Sequence, residues 1–301
     1  MTLTRERYEA LMNERIFAPT KLSDALRNRK RRTLPGDDGN LLIIAADHTS
    51  RGKLSLGSDR TAMADRFTLL ERTMECLAVP GVDGVLGSAD VLEELAWLGA
   101  LENKVALGTM NRGGIMGATW ELDDRITAYD LDHIVESGLD GGKTLIRIDY
   151  TDPAVAQTIE TVAATVTGLA DRGVMSLIEP LPYLKDDRGN AILDTSDESL
   201  AVVVAIASGL GSSSAHSWLK IPATAGMKEV AAATSLPILM LGGEPKGNPG
   251  GIFDLWETGM KEPNVRGLTV GRNLLYPADG DSRQAATRAS ALVHGPAGSS
   301  A

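Results

Sequence analysis

The chain has 301 residues, 43% hydrophobic and 23% charged, which is enough apolar material for one large core or two small ones. A net charge of −10 argues against a nucleic-acid partner, and a single cysteine, Cys76, excludes an internal disulfide and a cysteine-based zinc site. No apolar signal region opens the chain and no stretch approaches roughly eighteen apolar residues, so a cytoplasmic protein without a membrane partner is expected.

In chain order, residues 4–15 and 21–28 have the pattern of two short helices with Pro19 between them. The basic run at residues 27–32 (RNRKRR) is expected to be a solvated loop or helix end, with a phosphate or partner contact as the alternative. A polar turn at residues 36–39 leads to an apolar strand, LLIIAADH at residues 41–48, that ends in charge. A helix is expected at 59–77, with Cys76 on its apolar face, then a strand at 84–86, a helix at 90–98 and a strand at 105–109. A glycine-rich connection at 111–116 precedes a short helix at 130–137 and a strand at 144–149 entered through Lys143. The helix at 153–171 follows an Asp152-Pro153 start signal. Next come a strand at 174–178, a polar excursion at 185–194 and a helix at 197–208. Strands at 216–223, 237–241 and 266–270 alternate with helices near 227–234 and 252–260, and a last helix covers 283–293.

Eight apolar strands, each followed by a helix, predict a parallel sheet covered by helices on one face; at this length a single (β/α)8 barrel fits best, with an open doubly wound sheet as the runner-up. The first strand is followed by Ala45-Ala46-Asp47-His48 rather than a dinucleotide-binding glycine fingerprint, which weakens the open-sheet reading. The expected division is an N-terminal helical extension at 1–40, the barrel at 41–295 and a flexible tail at 296–301. A homo-oligomer is expected, since many such barrels assemble through their outer helices; Trp97, Trp120 and Trp256 are expected to fill the outer layer, with that assembly as their other use.

A barrel gathers its site at the C-terminal strand ends, which here carry Asp47 and His48, Ser88, Asn111, Arg147 or Asp149, Glu179, Lys220, Gly242-Gly243 and Gly271-Arg272. Lys220 stands in an apolar run (HSWLKIPA), either snorkelling with a buried stem or serving as a neutral amine that attacks a carbonyl. Lys143 points into the barrel or out at its N-terminal rim; if inward, it repels a second ammonium at Lys220 while Glu179 or Asp47 shuttles protons. The glycine turns closing the seventh and eighth strands, with Arg272, are of the kind that hold phosphate. The four histidines are scattered, which counts against a metal-dependent lyase.

Ala-Asp-His on the first strand, Lys143, Leu-Ile-Glu-Pro-Leu around Glu179, Trp-Leu-Lys-Ile-Pro around Lys220, Leu-Gly-Gly at 241–243 and Val-Gly-Arg-Asn at 270–273 together resemble class I aldolases. The likeness is to the tagatose-bisphosphate type and the archaeal-type fructose-bisphosphate and deoxyribose-phosphate relatives, and it covers roughly residues 40–295. It implies a metal-independent, cofactor-free aldolase with Lys220 as Schiff-base lysine, Glu179 as acid/base with Tyr183 as the alternative, and Asp47 and Lys143 assisting. By the same resemblance Gly242, Gly243, Gly271 and Arg272 would bind phosphate; His48 and Arg147, by their places at strand ends, are expected as further substrate contacts. The implied partner is a small phosphorylated sugar or sugar-acid. The leading substrate is 5-dehydro-2-deoxy-phosphogluconate, cleaved to dihydroxyacetone phosphate and malonic semialdehyde; tagatose-bisphosphate, fructose-bisphosphate, sulfofructose-phosphate and deoxyribose-phosphate are alternatives. The His48-Thr49-Ser50-Arg51 turn and the Asn248-Pro249 insertion depart from that pattern and leave specificity open. From another class, a non-catalytic sugar-phosphate-binding barrel is the competing expectation.

Overall fold

A computed structural model of the protein describes residues 2–111, 114–243 and 249–295. The expected tail at 296–301, and Asn248 of the seventh loop, lie outside the described residues.

Two helices, α1 (Arg5–Phe17) and α2 (Thr20–Asn28), precede the first strand. The barrel then alternates β1 (Leu41–Ala45), α3 (Arg66–Leu77), β2 (Gly84–Gly87), α4 (Ala89–Trp97), β3 (Val105–Thr109), α5 (Leu131–Glu136), β4 (Gly141–Ile148) and α6 (Ala154–Asp171). After β5 (Met175–Lys185) come β6 (Ala191–Leu193), α7 (Asp197–Ser208), β7 (Ser217–Pro222), α8 (Met227–Ala231), β8 (Ile238–Leu241), α9 (Pro249–Gly259), β9 (Val265–Val270), α10 (Arg272–Leu275) and α11 (Ser282–His294). The sheet order β4-β3-β2-β1-β9-β8-β7-β5 is closed by pairing of β4 with β5. Every one of these pairings is parallel, so the fold is the expected (β/α)8 barrel.

Three elements differ from expectation. Asp59 does not open a helix, because its carboxylate accepts the Thr61 N–H at 2.9 Å in a turn; α3 starts at Arg66, capped by Asp65, which accepts the Thr68 N–H at 2.7 Å. β4 begins at Gly141, so Lys143 lies within it. A Cβ at Gly141 would stand 2.8 Å from Leu107 Cδ2 and 2.9 Å from the Met175 carbonyl oxygen, which explains a glycine in a tight inner position. The polar excursion is a hairpin: β6 pairs antiparallel with the end of β5, Leu184 opposite Ile192.

Alternate residues of each strand point to opposite sides. Leu42, Ile44, Val85, Ala106, Ile146, Ile178, Leu219 and Ile221 pack outward against helix residues such as Leu69, Leu92, Val162 and Val203. Trp256 is fully buried in this outer layer and Trp97 packs against it, whereas Trp120 is 54% exposed and fills nothing there. Inside the barrel a second cluster joins Leu41, Ile43, Ala45, Leu86, Val105, Leu107, Met175, Leu177 and Leu239, with Leu34 and Trp218 against it.

The basic run is not simply solvated; it closes the N-terminal floor. Arg29 Nη2 meets Asp140 Oδ2 at 2.7 Å with both side chains buried, Arg31 Nη2 meets Asp140 Oδ1 at 2.8 Å, and Arg32 pairs with Asp83. Each carboxylate also fastens a neighbouring strand. Asp83 accepts the Leu42 N–H at 2.7 Å and Asp140 accepts the Ala106 N–H at 2.9 Å, so the same device serves β1 and β3. No described helix is long and apolar enough to cross a membrane.

Candidate active site

The inner face of the barrel is apolar at its floor and charged above. On β1 the inward series Leu41, Ile43, Ala45 continues two residues on to Asp47; on β5, Met175 and Leu177 lead to Glu179; on β7, Trp218 leads to Lys220. The period of two that packs the floor therefore also delivers the charged groups to one layer. Lys143 joins them from β4, pointing inward. Lys220 Nζ donates to Glu179 Oε2 at 3.3 Å, the same oxygen contacts Lys143 Nζ, and Lys143 Nζ lies 3.9 Å from Asp47 Oδ2. All four residues are buried, Lys143 and Asp47 at 1% exposure. Burying four ionisable groups is tolerable only in such mutual contact, since an isolated charge there would cost several kcal/mol.

On the adjoining wall, Gly271 precedes α10 and its first residue, Arg272, is buried. A Cβ at Gly271 would stand 2.3 Å from His48 Cε1 and 2.4 Å from the Ala45 carbonyl oxygen, so only glycine lets the His48 ring lie against this turn. Burial, reinforced by Arg272, Lys220 and Lys53, holds the His48 imidazole well below its usual pKa; it is neutral at physiological pH. Its Nδ1 is buried with no hydrogen-bond partner among the described residues. A Cβ at Gly242 would collide with Asn273 Oδ1 at 2.3 Å, and Gly243 has φ +66°, a left-handed conformation suited to glycine. The two glycine turns thus lie together around α10.

Arg147 is placed differently from a free substrate ligand. Its Nε and Nη2 each meet Asp124 carboxylate oxygens at 2.8 Å, its Nη1 meets Glu121 Oε1 at 3.0 Å, and Nη2 donates to the Glu121 carbonyl. It clamps the long connection after β3 to the end of β4. Asn111 does similar work: its Nδ2 donates to the Leu145 carbonyl at 2.5 Å and its Oδ1 accepts the Leu145 N–H at 2.6 Å. Asp149 folds its own turn by accepting from Thr151 N–H and hydroxyl at 2.8 and 2.7 Å, and the Ser88 hydroxyl donates to Asp90 at 2.5 Å.

The Tyr183 ring lies 5.5 Å from the Arg147 guanidinium, and burial raises its phenol pKa against the opposing pull of Arg147 and Arg51, leaving a proton donor. Strand ends pointed to Asp47, Glu179 and Lys220, but Arg51, Glu121 and Asp124 escape that rule because they sit on loops. The only sequence signal for Arg51 was that its turn departs from the aldolase pattern.

The family model described as Cgl0159-like matches residues 39–290. The crystal structure of Cgl0159 from Corynebacterium glutamicum (Brevibacterium flavum) superposes with a TM-score of 0.94 at 44% identity, covering 97% of this chain and 98% of that one. An archaeal fructose 1,6-bisphosphate aldolase gives 0.66 at 20% identity over 91% of this chain and 100% of that one. The fructose-bisphosphate aldolase from Slackia heliotrinireducens gives 0.66 at 14% identity, over 96% and 87% respectively. At such identities these aldolases share the barrel fold with this chain. No curated protein matches it. Because the family model spans most of the barrel and Cgl0159 matches nearly end to end, the chain belongs to the Cgl0159-like family.

Proposed function

We propose that the protein is a class I aldolase, a lyase that cleaves a phosphorylated ketose or keto-acid through a Schiff base on Lys220. The observation that carries this reading is the buried set in which one Glu179 oxygen contacts two lysine ammoniums, with Asp47 beside the second. Imine chemistry needs an amine able to lose its proton and groups able to pass protons several times.

In the forward direction the neutral Lys220 amine attacks the substrate ketone, and the carbonyl oxygen takes a proton to give a carbinolamine. Glu179, hydrogen-bonded to Lys220, is positioned to supply and remove that proton, and loss of water leaves the iminium. A carboxylate then takes the proton of the hydroxyl borne by the far carbon of the bond to be broken, and that carbon becomes the aldehyde carbonyl. The bond's electron pair moves into the iminium, forming an enamine and releasing an aldehyde. Protonation of the enamine carbon and addition of water free the ketone product and restore the amine. Lys143 keeps Glu179 and Asp47 in one network, while the glycine turns with Arg272 and His48 form the phosphate end. The leading substrate is 5-dehydro-2-deoxy-phosphogluconate, with dihydroxyacetone phosphate as the ketone product.

Borohydride added with dihydroxyacetone phosphate should fix a covalent adduct on Lys220, read by peptide mass spectrometry. Lys220→Ala should lose the adduct and retro-aldol turnover together; full turnover in that variant would sink the proposal.

A further inference from the structure

Arg51 ends the short 3-10 turn Thr49–Arg51 that follows His48. Its Nε donates to the Gly114 carbonyl at 3.3 Å, and Gly114 in turn lies against Arg147: a Cβ there would stand 2.0 Å from Arg147 Nη2. The Arg51 side chain therefore reaches toward the end of β4, beside Arg147 and within electrostatic reach of Asp124, Tyr183 and Glu179. The neighbouring carboxylates are engaged elsewhere. Both Asp124 oxygens accept from Arg147, Glu121 Oε1 accepts from Arg147, and Glu121 Oε2 accepts the Gly117 N–H at 2.8 Å. Arg51 has a neutral carbonyl as its hydrogen-bond partner and forms no ion pair among the described residues. Burial and the neighbouring Arg147 disfavour the Arg51 charge by more than Asp124, Tyr183 and Glu179 favour it, so its pKa is pulled down and an arriving anion would relieve the remainder.

The topology sets the strand toward which this cation reaches against the strand that Arg272 follows. In the closed order β4-β3-β2-β1-β9-β8-β7-β5, β4 and β9 are diametrically opposed. Arg272 follows β9, whereas the Arg51 side chain, leaving the turn after β1, reaches Gly114 beside Arg147 of β4; Lys220 on β7 and Glu179 on β5 lie between β9 and β4 along the wall. The mouth thus has a cationic pole on each side of the proposed reacting amine.

We infer that Arg51 anchors a second anionic group, so that the preferred substrate carries an anion at each end, one at the Gly271-Arg272 turn and the other at Arg51. The inference rests on the aldolase reading for its chemistry, but not for its binding geometry. It selects phosphorylated keto-acids and ketose bisphosphates over sugars with a single phosphate. The guanidinium fork suits either a carboxylate or a phosphate at the distal end.

Calorimetric titration of the full chain with 1,6-hexanediol bisphosphate and with hexyl phosphate reads this without any turnover. Wild type should bind the bisphosphate at least about tenfold more tightly, the worth of one charge-assisted contact. Arg51→Met should bring the two affinities to within about twofold, and Arg51→Lys should restore part of the ratio. Equal affinities in wild type, no binding of the bisphosphate, or an unchanged ratio in a folded Arg51→Met protein would each overturn the inference. The wild-type ratio decides alone if the variant does not fold. Borohydride trapping with dihydroxyacetone phosphate, which has one anionic end, tests the Schiff-base reading separately.

Discussion

The two ends of this barrel both bury charge, and they do so in opposite ways. At the floor, Asp83 and Asp140 each accept a backbone N–H and an arginine, and Asp140 takes a second arginine. Every contact there ties one element to another. At the mouth, two ammoniums share one oxygen of Glu179, and Asp47 lies beside one of them. A carboxylate saturated by fixed donors is a fastener, whereas one shared between two amines can exchange a proton with either. The difference teaches that buried charge by itself does not mark an active site; the kind of partner does.

Perturbing each end should separate the roles. Glu179→Gln keeps the shape but removes the shared negative charge, and turnover should fall by about 10²- to 10⁴-fold, measured as kcat for retro-aldol cleavage. A fall of less than twofold would move the acid/base role to Tyr183, whose phenol lies over Arg147. At the floor, Asp140→Ala should leave kcat near wild type while costing about 3–5 kcal/mol in urea unfolding, because Arg29 is left buried without its carboxylate. Asp83→Ala should cost less, since its partner Arg32 retains 27% exposure and can reach water. If Asp140→Ala lost activity without losing stability, the comparison between the ends would fail.

The smallest expected effect concerns pH. His294 at the floor has Nδ1 2.5 Å from Asp38 and Nε2 3.1 Å from Asp83, and these contacts raise its pKa from 6.5 to about 9. A group whose folded pKa is raised contributes fully below its unfolded pKa and loses that contribution as pH climbs through the folded value. Thermal stability should therefore decline between about pH 6.5 and pH 9, and His294→Ala should flatten that decline. An identical pH profile in the variant would remove His294 from the floor's ion network.

Much of the barrel was legible because its strands are short apolar runs separated by amphipathic helices, and that rhythm requires no knowledge of contacts. The hairpin at β5 and β6 was not legible, because a polar strand that pairs only along one edge carries no apolar signature. Asp59 misled for a local reason: an aspartate that caps a turn and one that caps a helix are the same residue in a string of letters. Arg147 stood at a strand end like Lys220, yet its partners Glu121 and Asp124 come from the preceding loop, and nothing in the spacing foretold that clamp.

What the sequence determined by itself was the alternation of strand and helix and, through the residue type at each strand end, the short set from which a lysine and its carboxylates had to come. Only tertiary closure decided that Lys143 faces inward, that Glu179 contacts it and Lys220 at once, and that Arg51 reaches the Gly114 carbonyl beside Arg147. The physical reason is range. Periodicity and propensity act within a few residues, whereas the proximity of Lys143, Glu179 and Lys220, spread over three strands, exists only once β4, β5 and β7 pair side by side and turn their inner faces to a common axis.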